Sequence, residues 1–377
     1  MKTKGFSEQV ISRMQRVHTD STNKAYLSQW KLFESWCLKK SISPIQATSA
    51  AVADFFVYLF EERKVQPRTI ESYKSSLGFI LKRASGYDLS TCTVLSDMIR
   101  SFKLERPRTT RTVVQWDLSI VLKFLSSDRF QKLDALDRDL TIKAVFLVAL
   151  AAGKRRGEIH ALERCSTMFA SNLQGVTLKP HPQFLSKTHI VSRGLGTFSE
   201  IQIPALKDPD SESGHSRLCP VQVLNRYVKR SDSYRKVAQA RLFISHMRAK
   251  STDISAQTIS TYIKRVIMEA YQDIEGLSET DLKAFNVKAH QVRHVAHSLA
   301  QLKNLSIDEL VQTGGWTSSN TFISHYLQNL SSSNIDKLSE VGSFVAIEQV
   351  FTPVTTNPYC FRDRGRGGKR QNYKKSK

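Results

Sequence analysis

Hydrophobic positions recur at helical spacing along most of the chain. Tyr26, Trp30, Phe33 and Cys37 follow the candidate caps Ser21 and Thr22 at intervals of three and four. Val52, Phe55, Phe56, Leu59 and Phe60 form a second apolar face. Pro67 opens a third helix carrying Ile70, Tyr73, Leu77, Ile80 and Leu81, which Gly86 is placed to end. A fourth helix is expected near 93–103. Farther on, Leu118, Val121, Leu122 and Leu125 make one stripe, and 139–152 is an apolar run closed by Gly153. Between 174 and 204 the period changes from helical to alternating. Val176 and Leu178, then Ile201 and Ile203, suggest a small sheet, with Pro180, Pro182, Gly194 and Gly196 marking loops between them. Helical spacing returns at 220–229, 255–271, 289–303 and 306–312, and a short helix fits 334–345.

These patterns divide the chain into a small helical unit (1–105), a linker (106–112), a larger unit (113–350) and a tail (351–377). The stretch from Lys103 to Thr112 has no apolar period and contains Pro107. Its cations Lys103, Arg106, Arg108 and Arg111 outweigh Glu105, so it suits either a phosphate backbone or a solvated hinge. The tail beyond Pro353 is rich in glycine and arginine and reads as disordered. The fold class is mainly α, with a small antiparallel sheet within the larger, α+β unit.

Charge adds a partner class. Lys and Arg number 56 against 34 Asp and Glu, a net of +22. Residues 362–377 account for +7, so the remainder still carries +15. A body this basic points to a polyanion. No run of eighteen apolar residues suggests a membrane span, and the first residues lack the apolar core of a secretory signal. The five cysteines are scattered, with no CxxC pair, which fits a reducing intracellular compartment and neither a zinc ribbon nor a disulfide framework.

Four places carry candidate chemistry. Gly153-Lys154-Arg155-Arg156-Gly157-Glu158 sets an arginine at a turn, with an acid three residues on to pair with it or to cap the next helix. In Ala289-His290-Gln291-Val292-Arg293-His294, helical spacing puts His290 and Arg293 on one face, offering a phosphate a planar fork and a titratable ring. His290, His294 and His297 also have the i, i+4, i+7 spacing of metal ligands. Gln291 stands where zinc sites of this type supply a carboxylate, so no metal is expected. The last two are Gly314-Gly315-Trp316 and Ser324-His325-Tyr326. Each place alone has an ordinary structural explanation.

Taken in order, they resemble the motif boxes of the tyrosine recombinases. Gly153 to Ile159 resembles the first box, Ala289 to His294 the second, and Gly314 to Tyr326 the third. The pattern Thr22-x-x-x-Tyr26 with Trp30-x-x-Phe33 is similar to the family's helical core-binding domain. Tyr326 lies ten residues after Trp316, one more than in Cre-type enzymes, and in this the chain resembles recombinases of the DIRS and Ngaro retroelements. Lys154 is basic where the family has an apolar residue. That leaves Arg155 and Arg156 both available to a phosphate, with box alignment favouring Arg155.

The resemblance implies a core-binding domain, a catalytic domain and a covalent 3′-phosphotyrosyl intermediate on Tyr326. It assigns Arg155 and Arg293 to the nonbridging oxygens, His290 to proton transfer or phosphate binding, and Trp316 to an orienting indole N–H. The general acid is implied to be a lysine on the hairpin, Lys187 in preference to Lys179. No cofactor is implied, since the intermediate conserves the bond energy. The implied partner is double-stranded DNA, bound by four protomers in a synapse, with monomers or dimers when free. Leu338, Val341 and Phe344 fit either a helix passed to a neighbour or one packed on its own domain. A retroelement enzyme would act in the nucleus, with the basic tail as its signal. A decayed DNA-binding protein without catalysis and a type IB topoisomerase are the competing readings.

Overall fold

The computed structural model describes residues 7–9, 13, 17–107, 116–132, 135–186, 200–206, 216–237, 239–284 and 287–302. The chain divides into two compact units, Met1–Arg111 and Thr112–Lys377.

The first unit contains helices α1 (Asp20–Lys39), α2 (Ser49–Glu61), α3 (Pro67–Ala84) and α4 (Thr93–Glu105). The cap of α1 is Thr19, ahead of the expected Ser21 and Thr22. Its hydroxyl accepts from the Thr22 N–H at 3.4 Å, and Asp20 places negative charge in the first turn. Thr48 caps α2 in the same way. Pro67 starts α3 where a missing N–H costs nothing, and Gly86 turns the chain beyond its end with φ +83°. The predicted aromatics close the core: Phe33, Phe55, Phe56 and Phe60 are buried, and Phe60 stacks on Phe102 with centroids 4.2 Å apart.

The second unit is built around α6 (Asp137–Ala152), buried at every position from Asp139 onward. A helix enclosed on all sides needs no polar stripe, which is why this run reads as almost continuously apolar. Around it pack α8 (Pro220–Asp232), α9 (Ala256–Glu275) and α11 (Gln291–Leu302), while α5 (Leu118–Leu125) lies against α9. The short α7 (Arg156–Ala161) follows α6 directly, and α10 (Glu279–Ala284) follows α9. The buried polar groups of α6 are paired. Arg129 makes a two-pronged bond to Asp139 at 2.8 and 2.7 Å, and Lys143 donates to the Leu125 carbonyl at 2.8 Å.

The sheet is antiparallel, in the order β1 (Met168–Phe169), β2 (Gly175–Leu178), β3 (Ile201–Pro204). Val176 pairs with Ile203 and Leu178 with Ile201, and all four side chains are buried, as their alternation predicts. The two-residue β1 is too short to show an alternation and was not expected. Beyond α7 the chain forms bridges from Leu162 to Pro180 and from Glu163 to Arg241. These fix the end of α7 to the sheet region. Among the described residues, no helix is long and apolar enough to cross a membrane.

Candidate active site

The site grows from the corner between α6 and α7. Gly153 closes α6 in the left-handed region, at φ 56° and ψ 23°. A Cβ at this position would come within 2.6 Å of Cε1 of His297 on α11. Glycine is therefore required here twice, for the turn and for the approach of α11. His297 is wholly buried, and its Nδ1–H donates to the Arg293 carbonyl at 2.7 Å. Burial, reinforced by the neighbouring Arg293, holds its imidazole well below the usual histidine range and so neutral.

That approach brings together residues far apart in sequence. Arg155 is the N-cap of α7, and its backbone N–H donates to Glu158 Oε2 at 2.6 Å. Its guanidinium also meets Glu158 Oε1 at 2.9 Å. Arg293, one turn before His297, reaches Glu158 Oε2 at 3.5 Å across a separation of 135 residues. Glu158 thus both caps the helix and pairs with arginine, the two options its spacing offered. The exposures differ in a useful way: 27% for the Arg155 side chain, against 4% for Arg293 and 5% for Glu158. Arg155 can reach an incoming ligand, while Arg293 and the carboxylate form the inner layer.

Lys154 adds a third cation. Burial pushes its ammonium down to about 8, with Glu158 opposing the shift and Arg293 and Arg155 supporting it. Two guanidiniums meeting on one carboxylate make a receptor for an anion such as a phosphodiester. Arg156 faces elsewhere, donating to Gln257 Oε1 at 2.8 Å and Ser260 Oγ at 3.2 Å on α9. Arg155, not Arg156, is therefore the member of the cluster.

His290 lies in the turn before α11, not on the helix as its spacing with Arg293 suggested, because the helix begins at Gln291. The Gln291 carboxamide accepts from the Lys288 N–H at 2.8 Å and from Trp116 Nε1 at 3.3 Å, which fixes the helix start there. His290 is exposed and its ring lies 5.3 Å from that of His294. His297 packs on Gly153, so the three histidines do not act as one set.

Lys179 stands at the neck of the β2–β3 connection, paired with Glu200 at 3.1 Å. Lys187, Trp316, Tyr326, Arg108 and Arg111 lie outside the described residues. Lys103 is in the last turn of α4 and pairs with Glu71 at 2.5 Å. Arg106, expected in the linker, belongs structurally to the first unit. Its guanidinium donates to the carbonyls of Val65 (3.1 Å) and Phe60 (3.3 Å) and lies 4.0 Å from the Phe60 ring. Sequence reasoning missed the contact between His297 and Gly153; no spacing signal links them.

No protein-family model and no curated protein sequence matches this chain. Solved structures do. The Tn1549 transposon integrase in complex with transposon right-end DNA is similar with a TM-score of 0.52 and 14% identity, over 87% of this chain and 95% of that one. A lambda integrase dimer bound to a COC′ core site gives 0.48 and 15%, over 86% and 96%. XerH recombinase bound to a palindromic difH substrate, after cleavage, gives 0.49 and 11%, over 78% and 72%. The fold is that of a tyrosine-recombinase catalytic domain, mostly helical with a small antiparallel sheet.

Proposed function

We propose that this chain is a site-specific DNA recombinase that cleaves and rejoins duplex DNA through a covalent bond to Tyr326. The observation that carries this reading is the meeting of Arg155 and Arg293 on Glu158, within a fold shared with a transposon integrase. Two guanidiniums that stay charged, one reaching outward and one inside, suit the nonbridging oxygens of a phosphodiester.

In the proposed reaction the Tyr326 phenol oxygen attacks phosphorus, forming a 3′-phosphotyrosyl bond as the bond to the 5′-oxygen breaks. A phenol with a pKa near ~10 needs help to lose its proton; His290 and the cationic field supply it. Lys187 protonates the leaving 5′-oxygen, and Trp316 orients the phosphate through its indole N–H. Reversal of these steps by a 5′-hydroxyl from another strand rejoins the DNA, so no cofactor is consumed. Four protomers assemble on two duplexes in the synapse. The spacing from Trp316 to Tyr326 supports a retroelement integration enzyme of the DIRS or Ngaro kind. The tail then serves as a nuclear signal, and deleting residues 362–377 lowers nuclear accumulation.

The test is Tyr326→Phe assayed on nicked or suicide duplexes. The unmodified chain is expected to form covalent protein–DNA adducts, and the variant to bind DNA without forming them. Adducts that persist in the variant reject Tyr326 as nucleophile. Binding without adducts by the unmodified chain favours a non-catalytic DNA-binding protein, and relaxation of arbitrary supercoiled plasmid favours a type IB topoisomerase.

A further inference from the structure

Trp116 stands just ahead of α5 and is 4% exposed, so its indole N–H has to find a partner inside the protein. That N–H donates to Gln291 Oε1 at 3.3 Å, across a separation of 175 residues, at the start of α11. The same oxygen accepts the Lys288 N–H at 2.8 Å, while the Gln291 N–H donates to the Lys288 carbonyl at 2.9 Å. Lys288 and Gln291 thus close one turn from both sides, with the reciprocal bonding that a capping box uses. His290 lies inside that turn. A carboxamide oxygen has two lone pairs, and here both are taken by N–H donors. Rotating the amide would set its NH2 against those donors, so the indole holds Gln291 in the one orientation that closes the turn. Next to Trp116, the Asp117 N–H donates to the Tyr271 hydroxyl at 2.6 Å, which anchors this segment to α9. The indole is therefore a fixed post against which the start of α11 is set.

We propose that Trp116 is a positioning residue for His290, acting through the Gln291 carboxamide to fix the turn that carries the imidazole. This inference rests on the DNA-recombinase reading above, in which His290 helps the Tyr326 phenol to lose its proton. His290 is exposed and sits at a helix start, where chain ends fray unless their N–H groups are held. Proton transfer needs the ring within hydrogen-bond reach of the phenol, and a displacement of about 1 Å can cost a large part of the rate. Arg293 is buried deeper in α11 and meets Glu158, so its place does not depend on the indole. Loss of the indole bond should slow the chemical step and leave phosphate binding in place. A tryptophan that only filled the core would move stability, affinity and rate together.

The experiment uses the full chain with nicked suicide duplexes of randomised sequence, and measures duplex affinity and the rate of covalent adduct formation at saturating duplex. Trp116→Phe keeps an aromatic ring and removes the N–H. Gln291→Met keeps the length and removes the acceptor, whereas Gln291→Glu still accepts from both donors. Trp116→Phe and Gln291→Met are each expected to slow adduct formation about tenfold or more, with affinity unchanged. The double variant should be no slower than the slower single one, because both break the same link. Gln291→Glu should keep most of the rate. If Trp116→Phe melts too low to assay, the benzothienyl analogue of tryptophan at this position keeps the ring shape and replaces the N–H with sulfur. Unchanged adduct rates, losses that multiply in the double variant, or affinity falling in step with rate would overturn the role of Trp116 and leave the recombinase reading intact. Absence of adducts from the unmodified chain overturns both.

Discussion

Glu158 holds the candidate site together at the scale of single residues. Its carboxylate takes the Arg155 backbone N–H, the Arg155 guanidinium and the Arg293 guanidinium, and it is 5% exposed. Replacing it with glutamine keeps the shape and removes the counter-charge, leaving Arg293 buried among cations. Removing one partner of a buried pair costs about 3–5 kcal/mol. The 3.5 Å contact to Arg293 puts the expectation for Glu158→Gln at the lower end, about 3 kcal/mol. Urea unfolding at pH 7 measures it as a lower midpoint with unchanged slope. A loss below about 0.5 kcal/mol, the range of an ordinary surface change, would show that Glu158 does not neutralise the arginines. Arg155, Glu158 and Arg293 were all singled out in the sequence by their types and spacing. The inward position of Arg293 and the outward one of Arg155 were not. They depend on a helix packing distance set by Gly153 and His297.

At the scale of elements, α6 carries the unit and Lys143 sits at its centre, fully buried. Burial pushes its ammonium from an ordinary 10.5 down to about 7, with Arg226 and Arg217 adding to the effect. The unfolded chain keeps this proton up to about pH 10.4, whereas the folded chain releases it near 7. Stability from this group therefore rises with pH between about 7 and 10, and the penalty is complete below 7. Lys143→Met removes the penalty. The Leu125 carbonyl that Lys143 bonds also accepts from Gln131 Nε2 at 3.3 Å, so it is not left bare. The variant is expected to exceed the unmodified protein in stability by about 1–4 kcal/mol at pH 6, with the gap closing toward pH 9. Chemical denaturation across that range checks it, and a gap independent of pH would contradict a charged, buried Lys143. The long helices of the described residues were readable, since periodicity records burial, but the short α10 was not, and the helices expected at 306–312 and 334–345 lie outside the described residues. Helix starts were less so. Thr19 displaced Ser21 and Thr22 as the cap of α1, and the Gln291 carboxamide began α11 after His290, each through backbone geometry that residue type alone does not specify.

For the whole molecule, the net charge of +22 is shared between a tail of +7 and a remainder of +15. If the tail only adds nonspecific affinity, the truncated chain should bind duplex DNA with a shallower dependence on salt yet still lose affinity as salt rises. Titrating residues 1–361 and the full chain with the same duplex from 50 to 300 mM salt measures both slopes. Salt-independent binding by the truncated chain would place the whole electrostatic contribution in the tail. The linker cations divide in a similar way. Arg106 is committed to carbonyls of its own unit and Lys103 to Glu71, so neither is the freely available phosphate contact that a plain count of linker charges suggests.

The sequence alone determined the mainly helical class, the alternating strands β2 and β3 and the basic character. All of these follow from side-chain type and spacing along one element. Tertiary structure decided which arginine of the Arg155-Arg156 pair meets Arg293, and that His297 is a neutral packing residue. These properties arise where α6, α7 and α11 converge, from distances and desolvation between groups 135 residues apart or more, and no local period encodes them.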